Sequence, residues 1–443
     1  MNGLMVFVTL FGATSSFSGV PGYAVPPCLQ GVTRHEAVLF WQQIQNRPVE
    51  VRYRTGRSAY LVQHLPAGTT LHRVVLSGLV QGRRYEYGVR IQGQDAWASG
   101  RFKTEGRPSD SFTFLVMGDT RSDVLAHSAV VDAMATEDAA FFLHTGDVVA
   151  RPEELLYRRF FAIEWPLLRN VSMLPALGNH ELSGSWQKGR ALFKKFFRFP
   201  NRGPGPGIEY SFVYGNSMVL FLDSNMEFTG SEQTSWATSK LIEAMSDPTI
   251  RHVFVVIHHG PFSSGPHGPN WELVDSELME QFQRFGVDII FSGHDHLYER
   301  GRIGNVRYVV SAGGGAPLYP IKRRLPNTEV VESTHHYVRV RVSGDAVEVA
   351  AYRLDGSLLD WFSYVKAGAD SIASAPVVVA ARSDGPRRLR HASAAKKLGR
   401  GPRRPARLSG CDVVSFGALL FFFLGALVLV LRRQYQSRTR TKP

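Results

Sequence analysis

The chain has 443 residues, more than a single hydrophobic core usually supports, so we expect two folded domains. Its formal net charge is +13, but 15 Lys and Arg against 2 Asp and Glu lie from Arg382 onward. Subtracting these from the totals of 51 and 38 leaves 36 residues of each sign before that point. Such a balance argues against a basic face that binds nucleic acid. The two cysteines, Cys28 and Cys411, predict neither a disulfide framework nor a zinc site.

The first segment carries an apolar run, LMVFVTLFG from Leu4, followed by the small-x-small tripeptide Gly22-Tyr23-Ala24. This pattern is typical of an export signal, so residues 1–24 are predicted to be a signal peptide. The pattern is atypical in one respect, because no Lys or Arg precedes the apolar run.

Residues 26–105 contain short alternating runs separated by turns, such as VEVRYRT, HRVVLSGL and RRYEYGVRIQG. Five or more runs of this kind in about 80 residues predict an antiparallel β-sandwich. The pattern L-x-G-L at 76–79, followed by Y-x-Y-x-V at 85–89, resembles fibronectin type III domains. The segment holds no close cluster of His, Asp or Glu, so we expect the chemistry to lie elsewhere.

Residues 108–365 alternate apolar runs with segments of helical period, for example 231–245 and 276–286. Buried strands alternating with helices predict a layered α/β domain. The predicted fold class is therefore α/β, with an antiparallel β-sandwich in front of the α/β domain and a transmembrane helix behind it.

The C-terminal part changes composition. Residues 366–410 are rich in Ala, Arg, Pro and Gly and are predicted to be a basic linker. Residues 413–431 carry no charge and are long enough to span a bilayer, and a basic tail, 432–443, follows. The positive-inside rule places that tail in the cytoplasm and the folded part outside, anchored to a membrane or cell surface. A bacterial envelope is the expected location. Ser409-Gly410-Cys411 before the span also resembles bacterial C-terminal sorting signals, in which the tail is cut.

Five apolar runs in the α/β domain are each followed by Asp, Asn or His. Because ligands bind at the carboxyl edge of open α/β sheets, we expect these side chains to meet. The runs are FTFLVMGD, AAFFLHTGD, SMLPALGNHE, RHVFVVIHHGP and VDIIFSGHDH, which end at Asp119, Asp147, Asn179 with His180, His258 with His259, and His294 with His296.

Oxygen and imidazole donors without cysteine favour divalent metal ions over a redox or structural zinc site. The set suits two ions ~3.5–4 Å apart, which neutralise the oxygens of a phosphate ester and lower the pKa of a bound water. Fe, Mn and Zn are all compatible with these donors.

The order and spacing of these motifs resemble the calcineurin-like metallophosphoesterases over roughly residues 112–300. The sandwich in front of them and the sequence GHDHLYER at 293–300 resemble the purple acid phosphatase branch. The motifs here are Gly118-Asp119, Gly146-Asp147, Gly178-Asn179-His180-Glu181, Val255-x-x-His258 and Gly293-His294-x-His296.

The resemblance implies a role for each position. Asp147 would bridge two ions; Asp119 and His296 would complete the first site, and Asn179, His258 and His294 would complete the second. His180 would contact the phosphoryl group or protonate the leaving group. Alignment on Val255 makes His258 the ligand, whereas alignment on Pro261 favours His259. His259 and His267 are otherwise candidate substrate contacts, and Arg121 is a candidate phosphate contact.

Two departures affect the first site. The tyrosine that binds iron in purple acid phosphatases falls at Ala150, so iron-loaded protein should show no purple band. The Asp-x-His of other branches reads Asp119-Thr120-Arg121, so a second ligand is missing. Water could complete the site, or His127 could supply a fourth ligand.

The resulting prediction is an exported, membrane-anchored hydrolase that cleaves phosphomonoesters by attack of metal-bound hydroxide, in the manner of acid phosphatases. Phosphodiester hydrolysis by the same centre is the first alternative. An adhesion protein with a degenerate metal site is the second, because the first site is short of ligands.

Overall fold

The computed structural model describes residues 19–205 and 207–366. Its first part is a β-sandwich of a three-stranded sheet, β1-β2-β5, and a four-stranded sheet, β4-β3-β6-β7, with antiparallel pairing throughout. The strands are β1 (Tyr23–Val32), β2 (Ala37–Gln43), β3 (Val49–Thr55), β4 (Leu61–Leu65), β5 (Leu71–Leu76), β6 (Arg84–Ile91) and β7 (Ala98–Lys103).

Alternating sequences explain this sandwich. Strand β7, ASGRFK, buries every second residue, as expected of a strand with one covered face. Leu39 and Trp41 of β2 share a core with Val51 of β3. Tyr23 is buried, and its hydroxyl donates to the Val89 carbonyl at 3.1 Å. The predicted cleavage tripeptide 22–24 therefore overlaps the start of β1, while residues 1–18 lie outside the described part.

The second part contains two larger sheets with the orders β10-β9-β8-β18-β19-β20 and β11-β12-β13-β14-β16-β15-β17. Its strands are β8 (Phe112–Met117), β9 (Phe141–His144), β10 (Ser172–Pro175), β11 (Tyr210–Tyr214), β12 (Ser217–Leu222), β13 (His252–Ile257), β14 (Ile289–Ser292), β15 (Tyr298–Ile303), β16 (Val306–Ser311), β17 (Thr328–Glu332), β18 (His336–Ser343), β19 (Ala346–Arg353) and β20 (Leu358–Val365). Its helices are α1 (Val124–Met134), α2 (Glu154–Leu168), α3 (Trp186–Phe196), α4 (Glu232–Ser246), α5 (Trp271–Val274) and α6 (Glu277–Arg284), with a 3-10 turn at His180–Leu182.

The two sheets face each other across a shared apolar core. The ring of Phe114 in β8 lies 5.3 Å from that of Phe254 in β13 and 6.1 Å from that of Phe291 in β14. Strands β8, β9, β13 and β14 are buried along almost their whole length, which is why their sequences read as continuous apolar runs.

Serine residues begin the two helices that the sequence indicated. Ser231 caps α4 by accepting from the Thr234 amide, and Ser276 caps α6 by accepting from the Met279 amide. In α6, Leu278, Met279 and Phe282 are buried, at the spacing expected of one covered helix face.

Within each sheet, the neighbouring strands that carry the motif residues are parallel to one another: β8 with β9, β9 with β10, and β13 with β14. Their carboxyl ends consequently meet at one edge of the sheet pair, which positions the loops described below. None of the helices within residues 19–205 and 207–366 is long and apolar enough to cross a membrane. The predicted span 413–431 and nearly all of the linker lie outside these ranges.

Candidate metal centre

The loops after five strands bring the six predicted metal ligands together. Asp119 Oδ1 lies 3.5 Å from His296 Nε2, and Asp147 Oδ1 lies 3.4 Å from His258 Nε2. Donor atoms of Asp119, Asp147 and His258 fall within 4.8 Å of one another, as do those of His258, His259 and His294. Asn179 joins the group through its Oδ1, 3.0 Å from His258 Nε2 and 3.1 Å from His294 Nδ1.

Three of these ligands have unusual backbone conformations. Asp119, Asp147 and His294 have φ values of 57°, 56° and 73°, in the left-handed region that residues other than glycine rarely adopt. Hydrogen bonds hold them there: the His294 amide donates to both Asp119 carboxylate oxygens, and the His180 amide donates to Asp147 Oδ1 at 2.9 Å. Strained residues of this kind concentrate at functional sites.

Two glycines of the motifs are required by close approach. A Cβ at Gly178 would lie 2.2 Å from Asp147 Oδ1 and 2.3 Å from its amide nitrogen. A Cβ at Gly146 would lie 2.6 Å from His258 Nδ1, and Gly146 also has φ of 102°. Glycine before each ligand therefore lets the backbone pass close to the neighbouring ligand.

Glu181 is a functional residue to which the sequence analysis assigned no role. Its buried carboxylate accepts from the amides of Gly178 at 2.8 Å, Val149 at 2.9 Å and Asp147 at 3.1 Å. It thereby ties the loop of Asp147 to the loop of Asn179. Burial and then the charge of Asp147 raise the pKa of Glu181 to about 8, against the three amide bonds. The one sequence feature that could have indicated this role is the position of Glu181 at the end of the Gly178–Glu181 motif.

At the second site, lone pairs converge without a proton between them. His258 Nδ1 donates to the Thr145 carbonyl at 2.9 Å, so its Nε2 carries a lone pair. That nitrogen faces two further acceptors, Asn179 Oδ1 and Asp147 Oδ1. Burial lowers the pKa of His258 well below its ordinary value, which keeps the ring neutral. A cation at this point would satisfy all three groups, so the residues fit a metal ion.

At the first site, a donor occupies the equivalent position. His296 Nδ1 donates to the Pro317 carbonyl at 2.6 Å, so its Nε2 is also an acceptor. It receives a bond from Arg121 Nη2 at 3.2 Å, while Arg121 Nε donates to Asp147 Oδ2 at 3.1 Å. Ala150 offers only its carbonyl, which accepts from His180 Nδ1 at 2.9 Å. The first site therefore fits a metal ion less well than the second.

Comparison with known proteins agrees with this geometry. Residues 112–298 match the calcineurin-like phosphoesterase family. This part of the chain is a calcineurin-like phosphoesterase domain. Curated relatives of the chain include an uncharacterized protein of Mycobacterium tuberculosis, 27% identical over 39% of this chain and 34% of the relative. They also include purple acid phosphatase 1 of Ipomoea batatas, 30% identical over 32% of each chain, and phosphoenolpyruvate phosphatase of Allium cepa, 25% identical over 61% and 60%.

The chain thus spans about a third of the length of the first relatives it matches. Among solved structures, purple acid phosphatase from yellow lupin (Lupinus luteus) seeds superposes with a TM-score of 0.65 at 19% identity, covering 79% of this chain and 75% of that one. PhoD superposes with a TM-score of 0.61 at 13% identity, covering 78% and 90%. These likenesses show that the fold is shared.

Three further histidines line the open side of the candidate metal centre. His267 Nδ1 bonds Asp295 Oδ1 at 2.6 Å, and its ring lies 4.0 Å from that of His294. His259 Nδ1 bonds Ser224 Oγ at 2.7 Å. Both line a cavity of 280 Å³ that also reaches His294. The third, His180, is part-exposed, with Nε2 3.8 Å from Asp147 Oδ2.

His127, considered as a fourth ligand of the first site, bonds elsewhere. It lies in α1, where its Nε2 is 2.8 Å from Glu164 Oε1 and its ring stacks at 5.7 Å on Phe160. Both polar partners are buried, so the pair belongs to the packing between α1 and α2. His127 is therefore not placed to serve as a ligand of the first site.

Proposed function

We propose that the chain is a metal-dependent phosphoesterase that hydrolyses phosphomonoesters. The observation that carries the proposal is the convergence of His258, Asn179 and Asp147 on one point with lone pairs only. The names of the relatives from Ipomoea batatas and Allium cepa support a phosphatase. The family resemblance implies a pair of ions, for which the second site offers four donor residues and the first site three.

A cation held by Asp147, Asn179, His258 and His294 would withdraw charge from a phosphoryl oxygen and acidify a coordinated water. The protein fixes these donors in advance. Thr145 holds the His258 tautomer, and Glu181 holds the backbone on either side of the ligands. Orientation by such supporting bonds is what keeps a ligand basic and in place.

In this proposal His180 would move a proton. Its Nδ1 donates to the Ala150 carbonyl, which leaves Nε2 on the open side of the centre. A protonated Nε2 would donate to the leaving oxygen of the ester. His267 is oriented by Asp295 in the same manner, so its second nitrogen faces the cavity and would contact the phosphoryl group.

The catalytic test uses full chain stripped of metal and reloaded with Mn²⁺, Zn²⁺ or Fe²⁺. Hydrolysis of p-nitrophenyl phosphate and phosphoenolpyruvate is compared with that of bis-p-nitrophenyl phosphate. We expect metal-dependent cleavage of the monoesters, loss of that activity in His258→Ala, and no change in His64→Ala, which alters an exposed sandwich histidine. Cleavage of the diester alone would replace the proposal by the phosphodiesterase alternative. A folded protein inactive with every ion would favour the adhesion alternative.

We also propose export and anchoring through residues 413–431. The support is the uncharged span of 19 residues followed by Arg432 and Arg433. Truncation after Leu408 should release active, soluble enzyme. If the truncated protein still sediments with membranes after a high-salt wash, the anchor lies elsewhere. Loss of residues beyond Cys411 from surface-bound wild type would indicate sorting by cleavage.

A further inference from the structure

Arg121 occupies the place where the first ion would bind. Its Nε donates to Asp147 Oδ2 at 3.1 Å and its Nη2 to His296 Nε2 at 3.2 Å, and its side chain is only 13% exposed. Both acceptors belong to the ligand set of the first site. Arg121 also stands at the motif position where other branches of the family carry a ligand histidine.

We propose that the Arg121 guanidinium replaces the first metal ion, and that the chain binds a single ion, at the second site. This inference rests on the proposed function, because it concerns the same centre. Under this assignment the first site is not a metal site that has lost ligands. It holds a permanent cation, because the Arg121 side chain cannot dissociate from the protein and needs no supply of metal.

The donor pattern supports this assignment. At the second site the lone pair of His258 faces two other acceptors, an arrangement that a bound cation would reconcile. At the first site the lone pair of His296 already faces an N–H of Arg121. A metal ion there needs bonds of ~2.0–2.2 Å to His296 and Asp147 and would have to break both Arg121 bonds. Arginine is always charged in proteins, so it cannot stay beside the ion as a neutral group.

The buried charge supports it as well. Asp119, Asp147 and Glu181 are essentially inaccessible to solvent, and three carboxylates cannot be buried together without cations. One divalent ion and Arg121 supply three positive charges, enough to balance all three carboxyl groups even when Glu181, whose pKa burial raises, is ionised. A second divalent ion would leave an excess of positive charge in this buried site, because the remaining ligand of the first site, His296, adds no negative charge.

The test is the metal stoichiometry of the full chain loaded with Mn²⁺ and freed of excess ion. We expect about one Mn per chain by plasma mass spectrometry and the six-line electron paramagnetic resonance spectrum of a mononuclear ion. Asn179→Ala should lose this ion, whereas Asp119→Asn should retain it. Arg121→His, which restores the ligand of other branches, should bind about two ions and show the broadened spectrum of a coupled pair.

The matched control is Arg151→His, since Arg151 lies on the surface and bonds Glu153. It should keep a single ion. Two ions in the wild type would overturn the inference but leave the proposed phosphoesterase intact, whereas no bound ion in folded wild type would refute the proposed function itself. A single ion in both folded Arg121→His and Arg121→Gly would also overturn the inference, because Arg121 would then not be what excludes the first ion.

Discussion

The β-sandwich and the phosphoesterase domain are both built on buried apolar strands, but they differ in where their charged side chains lie. In the sandwich, the pairs Arg90–Glu50 and Arg54–Glu86 lie at the surface, with side chains 26% to 47% exposed. In the phosphoesterase domain, Asp119 and Asp147 are buried at the strand ends. Burying carboxylates opposes folding unless cations accompany them. The buried carboxylates at this sheet edge are therefore explained by a chemical function rather than by a contribution to stability.

Backbone conformation differs in the same direction. Between residues 23 and 103, all of which the structure describes, the residues with positive φ are glycines in turns. In the phosphoesterase domain, two aspartates and a histidine of the centre have positive φ. Glycine adopts that conformation without strain, whereas Asp and His do so only when their surroundings hold them. We therefore expect substitutions at the centre to reduce activity more than stability. Substitutions in the core of the sandwich should reduce stability more than activity.

The largest effect is expected for Asp147→Asn. One carboxylate there faces His258, Arg121 and the His180 amide, and replacing it removes a charge that the bound cation requires. Turnover should fall by about 10³-fold or more, and metal should be lost. Kinetics and metal analysis on the same sample provide the measurement. Wild-type rate and metal content in this variant would refute the centre as described.

The opposite behaviour is expected for Trp41→Ala in the sandwich. Trp41 is fully buried and stacks on His72 at 4.7 Å. Removing it should lower the free energy of unfolding by about 3–5 kcal/mol, measured with denaturant. Below the unfolding transition, kcat/KM should stay at the wild-type value, and Trp41→Phe should lose less stability. A selective fall in kcat of the folded variant would contradict the separation of the two regions.

A pH-dependent loss of stability is expected from His336, a buried histidine remote in sequence from the ligands. Burial lowers its pKa to about 4, although a hydrogen bond from Nδ1 to the Thr334 carbonyl acts in the other direction. In the unfolded chain the ordinary pKa is ~6.5. Between these values only the unfolded chain binds the proton, so stability is lost as the pH falls through this window.

For His336 this loss amounts to about 3 kcal/mol between pH 6.5 and 4. His144, whose pKa burial lowers to about 3, should add a similar loss in wild type and variants alike. Denaturant unfolding at pH 7 and pH 4.5 should therefore show a shallower pH dependence for His336→Asn than for wild type. Equal slopes would show that His336 is not the group that titrates.

The smallest effect is expected for Glu181→Gln. Glutamine keeps one acceptor oxygen but loses the charge that binds the amides of Asp147, Val149 and Gly178. Activity should fall by about 10–100-fold, as is common for groups that orient metal ligands. Metal-free variant should be no less stable than metal-free wild type at pH 7, because the raised pKa of Glu181 leaves most of its carboxyl group protonated and uncharged there. A kcat fall without weaker metal binding would instead assign Glu181 a direct role in the reaction.

Much of the centre could be predicted from the sequence because each ligand follows its own strand. An apolar run ending in Gly-Asp or Gly-Asn is a local signal, and parallel strands place their carboxyl ends side by side. This signal predicts Asp119, Asp147 and Asn179 as ligands, and His258 likewise follows the end of its own apolar run. The helices α4 and α6 were equally readable, since their apolar spacing and serine caps are local as well.

The tertiary structure decided how those loops meet. Arg121 and His296 are 175 residues apart in the chain, and no local pattern states that one donates to the other. Glu181 gained its role from the Asp147 and Val149 amides of another loop, and His127 was drawn to Glu164 by the packing of α1 on α2. Sequence determined which donors stand at the strand ends, because strand and turn propensities are local. Which donors face a cation and which face a guanidinium depended on distances that exist only after the two sheets have packed.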